Sequence, residues 1–158
     1  MFNNHKLTDN YYTYKKVWES INDYIPTDKK IWSPFYGDGK QKEYFKELGH
    51  NIIHEDRDFF TYEPENYDIL VDNPPYSKRL DILKRLKDLD KPFIMLLQPH
   101  IIACKYFYTL FPEDIQIMVP KKRATCYNPT LDKRNYSPHM GMWFVCYKMN
   151  LEKDFKYI

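Results

Sequence analysis

The clearest chemistry in this chain lies in the run Asn73-Pro74-Pro75-Tyr76, directly after the apolar stretch Asp68 to Asp72. A double proline at the end of a strand is unfavourable unless the loop must be rigid. Asn73 brings a side-chain carbonyl, and the peptide carbonyl of Pro74 adds a second acceptor. Tyr76 adds a π-face. Two acceptors aimed at one NH2 group, beneath an aromatic plate, describe a site for a planar amine. Taken alone, the four residues also fit a plain proline turn.

Two further clusters carry chemistry. Phe35-Tyr36-Gly37-Asp38-Gly39 places two of the four glycines in the chain one residue apart, between a strand and a helix. Such a turn lets the backbone approach a ligand closely. It is not a dinucleotide fingerprint, because Lys42 stands where a third small residue is needed, and no GK[ST] follows to make a P-loop. A tight turn is the competing reading. Glu55 and Asp56 then lie at a suitable distance for an acid that holds two ribose hydroxyls. Asp58-Phe59-Phe60 follows at once: a carboxylate can accept from an adenine amino group, and a phenyl ring can stack on the base. Either acid alone also fits a solvated turn.

The elements that position these clusters alternate. Helices are expected over Lys15 to Tyr24, Lys40 to Leu48, Ser77 to Leu89 and Ile101 to Leu110 from apolar residues at helical spacing. Strands are expected over Lys30 to Phe35, Asn51 to Glu55, Asp68 to Asp72, Phe93 to Leu97, Ile115 to Val119 and Met142 to Met149. Phe93 to Leu97 is apolar throughout, as a strand buried on both faces requires. The pattern predicts an α/β fold: a Rossmann-like, mostly parallel sheet with an antiparallel edge strand and helices on both faces. Ligands of such sheets sit beyond the carboxyl ends of the strands, at the switch point. All three clusters follow strands, so the topology gathers them on one edge.

The 158 residues suffice for one domain, residues 1–158, with no separate target-recognition domain expected. Net charge is +2, so any nucleic-acid contact must come from a local patch. Lys121-Lys122-Arg123 and Lys133-Arg134 flank a loop over 121–140 that contains Pro and Tyr, and they are placed for phosphates; a solvated surface is the alternative. Cys104, Cys126 and Cys146 are odd in number and lack a CxxC pair, which disfavours a disulfide scaffold. His50, His54 and His100 lack metal-ligand spacing and read as structural; no metal is expected. No apolar run is long enough for a membrane helix, and residues 1–10 lack a signal-peptide core, so a soluble intracellular protein with no membrane partner is expected, in cytoplasm or nucleus.

The order FYGDG, HED-DFF, DNPPY resembles the S-adenosylmethionine-dependent amino-methyltransferases of class I Rossmann-like fold. More narrowly it resembles the small phage-type and large-virus-type DNA adenine-N6 methyltransferases. Tyr11 to Trp18 matches that family's first motif, and the resemblance spans residues from about 11 to 149. It implies S-adenosylmethionine as cofactor. Tyr12 and Thr13 would touch its methionine end, and Phe35, Gly37 and Gly39 would line its amino-acid and sulfonium part. Glu55 would hold the ribose, and Asp58 and Phe59 would frame the adenine. Asn73, Pro74, Pro75 and Tyr76 would form the catalytic loop, with Asn73 also beside the cofactor.

Lys121, Lys122, Arg123 and Tyr127 would meet nucleic acid, with Tyr127 the nearest candidate for a further aromatic against the target base. The chain departs from the pattern at Tyr14, where Pro is usual, and at Ser33, where an acid often stands. The expected substrate is adenine in DNA. RNA, a protein glutamine side chain and a non-catalytic partner role are the alternatives. Either a homodimer or a partner subunit would supply target recognition.

Overall fold

A computed structural model describes residues 9, 11–129 and 141–158. Its strands are β1 (Tyr12–Thr13), β2 (Lys30–Trp32), β3 (Asn51–Ile53), β4 (Ile69–Asp72), β5 (Phe93–Leu97), β6 (Ile115–Val119), β7 (Cys126–Tyr127), β8 (Trp143–Tyr147) and β9 (Phe155–Tyr157). The helices are α1 (Lys15–Glu19), α2 (Gln41–Glu47), α3 (Arg79–Leu89) and α4 (Lys105–Leu110). Seven strands form one sheet in the order β3-β2-β4-β5-β8-β6-β9. The strands β3, β2, β4 and β5 run parallel to one another; β8 is antiparallel to both of its neighbours, and β9 is parallel to β6.

Alternation along the strands builds two cores. Ile94 and Leu96 of β5 pack into one layer with Val17 and Trp18 of α1 and Phe45 of α2. Phe93, Met95 and Leu97 pack into the other with Ile82, Leu83 and Leu86 of α3 and Phe107 of α4. Every residue of β4 and β5 is buried, which explains why both are apolar throughout except for Asp72 at the end of β4. From β2 the chain crosses through α2 outward to β3. It then returns to β4 on the other side of β2 and continues through α3 to β5. The direction of winding therefore reverses between β2 and β4, and a crevice opens there.

The doubly wound α/β class is as expected, but the antiparallel strand is not at the edge. Strand β8 is paired with β5 on one side and β6 on the other, and four of its five residues are buried, in keeping with the apolar run Trp143-Phe144-Val145-Cys146-Tyr147. The edges are the more polar β3 and β9. The first helix stops at Glu19 and gives way to a 3-10 turn at Asn22–Tyr24. The helix expected from Ile101 begins as a 3-10 turn at Pro99–Ile101 and becomes α4 only at Lys105. A two-stranded antiparallel ribbon of β1 and β7 was not anticipated, since two-residue strands have no period to read. No helix among the described residues is long and apolar enough to cross a membrane.

Candidate functional site

At the carboxyl ends of β2 and β4 lies a cleft of about 580 Å³. Its walls come from the β1 ribbon, from the Gly-rich turn after β2, and from the segments after β3 and β4. One buried carboxylate joins the two central loops. Asp72, the last residue of β4, is 1% exposed. Its Oδ2 accepts from the Ser33 hydroxyl and from the Phe35 backbone N–H, each at 2.8 Å. Its Oδ1 accepts from the Asn73 backbone N–H at 2.7 Å and from Gln41 Nε2 at 3.3 Å. Burial pushes the Asp72 carboxyl up to about 6, while the nearby His54 and these donors favour its charged form. Ser33 thus supplies Asp72 with a hydroxyl donor.

His54 supports the Gly-rich turn from below. Its ring is buried, with Nδ1 2.9 Å from the Ser33 carbonyl oxygen and Nε2 3.1 Å from that of Tyr36. It also stacks on the Tyr36 ring at 5.1 Å. The turn itself needs its glycines. Gly37 has φ +58°, and a Cβ there would come within 3.2 Å of the Tyr12 ring. Gly39 has φ +76°, and a Cβ would meet the Tyr36 hydroxyl at 2.8 Å.

Asn73 is held by its amide nitrogen. Nδ2 donates to Thr13 Oγ1 at 3.0 Å and lies 3.4 Å from Cys126 Sγ. Its Oδ1 is buried and has no hydrogen-bond partner. A buried acceptor left without a donor in a native cleft is the exception to near-complete pairing, and it calls for an explanation. Burial pushes the Cys126 thiol up to about 11, so it stays protonated and acts as a neutral neighbour of Asn73, not as a nucleophile.

The ribbon pairs Tyr12 with Tyr127 and Thr13 with Cys126 across the cleft mouth. Tyr127 donates to Asp38 Oδ2 at 2.6 Å, tying the ribbon to the Gly-rich turn. The rings of Tyr12 and Tyr14 pack on Tyr127 at 5.6 and 4.7 Å.

Of the residues singled out from sequence, Tyr12, Thr13, Phe35, Gly37, Asp58, Phe59, Asn73 and Pro75 line the cleft. Asp58 also caps its own turn, accepting from the Phe60 N–H at 3.0 Å. Phe59 is only 4% exposed, wedged between Trp32 and Phe35. Glu55 does not line the cleft; Asp56 does. The reason is alternation: His54 turns inward, Glu55 therefore faces out beside Tyr62, and the bend that follows brings Asp56 back. Gly39 shapes the turn without lining the cleft. Pro74 and Tyr76 line an adjoining crevice that shares Pro75 and Ile82 with the cleft, and the Tyr76 ring lies 5.8 Å from that of Tyr11. Tyr127 sits at the rim in the ribbon, and Lys121, Lys122 and Arg123 are exposed. Lys133 and Arg134 lie outside the described residues. Sequence reading missed Asp72, His54, Gln41 and Cys126 as parts of the site. The one signal available was a charge, Asp72, closing an otherwise apolar strand.

No protein-family model matches the chain, and no curated protein matches it. Among solved structures it is similar to TrmN from Thermus thermophilus at 12% identity and a TM-score of 0.39, over 84% of this chain and 47% of that one. It is similar to a possible methylase from Clostridium difficile 630 at 14% identity and a TM-score of 0.31, over 84% of this chain and 35% of that one. The chain spans less than half the length of either protein, and likeness at this level says nothing of its chemistry.

The rim contact has a measurable signature. Burial draws the Asp38 carboxyl upward, but the Tyr127 hydroxyl and the Lys40 ammonium outweigh it and hold the group below the usual carboxylate range. Tyr127→Phe removes the hydroxyl donor. The Asp38 carboxyl titration, followed by carbon-13 NMR, is expected to move up; an unmoved titration would mean that Lys40 alone sets it.

Proposed function

We propose that the cleft binds S-adenosylmethionine and that the chain transfers a methyl group to the N6 amine of adenine in DNA. The observation that carries this reading is the buried Asn73 Oδ1, without a partner while its own nitrogen is tied to Thr13. The amide is thereby turned with its acceptor kept for an incoming donor. An amine proton is such a donor.

The residues present fit the cofactor. The volume of the cleft is in the range of sites for ligands of this size. Gly37 lines the cleft and lets the Tyr12 ring pack against the turn, and Asp56 offers a carboxylate acceptor to ribose hydroxyls. Phe35 and Phe59 offer apolar walls to a purine. When bound, S-adenosylmethionine supplies an electrophilic methyl group on a sulfonium.

The chain does the rest by positioning. The N6 lone pair of adenine is delocalised into the ring and is a poor nucleophile. Hydrogen bonds from N6–H to Asn73 Oδ1 and to the Pro74 carbonyl oppose that delocalisation and aim the nitrogen. Rigidity matters here, because the acceptors must already be in place when charge develops on the amine. Asp72 fixes the Asn73 backbone, and Thr13 fixes its side chain. Tyr76, next to Tyr11, supplies the π-face for a base taken out of its stack. In this reading the exposed cations Lys121, Lys122 and Arg123, or a second subunit, choose the target.

Asn73→Ala removes one preorganised acceptor, a loss of about 3–4 kcal/mol in the transition state. Turnover, read as N6-methyladenine by nucleoside analysis after incubation with labelled S-adenosylmethionine and DNA or RNA oligonucleotides, is expected to fall by roughly two to three orders of magnitude. Wild-type turnover in Asn73→Ala, or methylglutamine as the wild-type product, would refute the amine mechanism. Asp56→Ala is expected to weaken cofactor binding by calorimetry about 10- to 100-fold, through loss of hydrogen bonds to a charged acceptor. Glu55→Ala is expected to leave it unchanged, and the opposite ranking would place the ribose on Glu55.

A further inference from the structure

Among the described residues, no helix covers the far edge of the sheet face that carries the second core. Ile117 of β6 pairs with Val145 on one side and with Phe155 on the other, so these side chains share a face. By the same alternation Trp143 of β8 and Tyr157 of β9 share it. There α4 ends its cover: Phe155 is 48% and Tyr157 60% exposed, and Trp143 is half-buried. The three rings touch edge to face, Trp143 to Phe155 at 6.3 Å and Phe155 to Tyr157 at 5.3 Å.

Three exposed cations border this platform. The Lys121 backbone N–H donates to the Ile158 carbonyl at 2.7 Å, which sets Lys121 beside Tyr157. Arg123 lies next to Gly141, with its Cγ 3.8 Å from where a Cβ would stand there, and Ala124 bridges to Met142, one residue from Trp143. Lys122 lies between them. Glu113, Asp114, Glu152 and Asp154 lie at the amino ends of β6 and β9 together with Lys148 and Lys153, whereas Lys121, Lys122 and Arg123 lie at the carboxyl ends with no acid among residues 115–129. The cations and Trp143 are therefore on the same sheet edge as Asn73, since Trp143 pairs with Leu97 at the carboxyl end of β5.

We propose that this edge is a docking platform for unpaired nucleic acid, with bases stacked on Trp143, Phe155 and Tyr157 and phosphates held by Lys121, Lys122 and Arg123. Flat rings accept any base by its π-face, and the neighbouring cations complement the backbone. A paired duplex keeps its bases inside and offers these rings nothing to stack on. The strand would run from the platform along the carboxyl edge of the sheet to the cleft. Only this direction rests on the methyl-transfer reading; the platform itself does not.

The test uses a thymine-only single strand and no cofactor, so the amine site plays no part. Trp18 and Trp32 are 0% and 2% exposed, so quenching of tryptophan fluorescence by a stacked base reports on Trp143. Single-stranded oligothymidylate is expected to quench it, and a duplex of equal length is expected to quench it far less. Tyr157→Ala and Phe155→Ala are each expected to weaken binding, followed by anisotropy of a labelled strand, about 5- to 100-fold. Replacing Lys121, Lys122 and Arg123 together by Ala is expected to flatten the log–log salt slope by about 2. Trp143→Phe is expected to remove the fluorescence change while anisotropy still shows binding. Absence of quenching, equal binding of the duplex, or ring variants that bind as wild type would overturn the platform. So would sedimentation showing a dimer that the ring variants dissolve, which would assign the face to a second copy of the chain. If oligothymidylate binds as expected but no methyladenine forms with any adenine-containing strand, the platform stands and the proposed reaction falls.

Discussion

One buried carboxylate holds together the parts of this protein that can do chemistry. Asp72 ends β4 on the far side of the crevice from the Gly-rich turn, yet it accepts from the turn through Ser33 and Phe35 and from the Asn73-Pro74-Pro75-Tyr76 loop through Asn73. A charge buried this deeply is unfavourable unless donors surround it. Here the donors come from both sides of the switch point, so neither loop can move without leaving the carboxylate exposed to an apolar interior. The cleft inherits its rigidity from that constraint.

The remaining structure serves to place Asp72 and what it holds. Two apolar layers, one under α1 and α2 and one under α3 and α4, bury β4 and β5 on both faces and fix the height of the strand ends. From there orientation passes outward by contact. The Asn73 backbone is set by Asp72, its amide by Thr13 and Cys126, and the Thr13 strand by its pairing with β7. His54 does the same for the turn by holding the Ser33 and Tyr36 carbonyls. The cleft ends up with an amide oxygen that has no donor of its own, which is the feature the proposed amine substrate would use.

The sequence showed this unevenly, for physical reasons. Phe93 to Leu97 and Ile115 to Val119 could be bounded to the residue, because a strand buried or half-buried in a sheet has a pattern that depends only on itself. The DNPPY run and the Gly37 turn were visible because proline and glycine restrict or extend the backbone locally. The place of β8 inside the sheet was not, since strand order depends on partners distant in the chain. The ribbon was not either: Thr13 and Cys126 meet across 113 residues, and two-residue strands carry no periodic signal. Glu55 and Asp56 show how fine the limit is. Composition gives an acid at the end of β3, but which acid faces the cleft is set by His54 turning inward, and that follows from the carbonyls it meets. Asp72 read as the polar end of a strand because, apart from the adjacent Asn73, its donors lie at positions 33, 35 and 41, well apart from it in the sequence.

The central claim is that Asp72 orders both loops at once, and hydrogen exchange in the Asp72→Ala protein measures it directly. The substitution removes both carboxylate oxygens, so the Phe35 N–H on Oδ2 and the Asn73 N–H on Oδ1 lose their acceptors together, at about 1–3 kcal/mol each. Exchange at the Phe35 and Asn73 amides, followed by NMR, is predicted to rise together by about tenfold or more, while the Ile94 and Leu96 amides inside β5 keep their protection. Unchanged protection at Phe35 and Asn73 in a folded Asp72→Ala protein, or a rise at only one of them, would contradict the account.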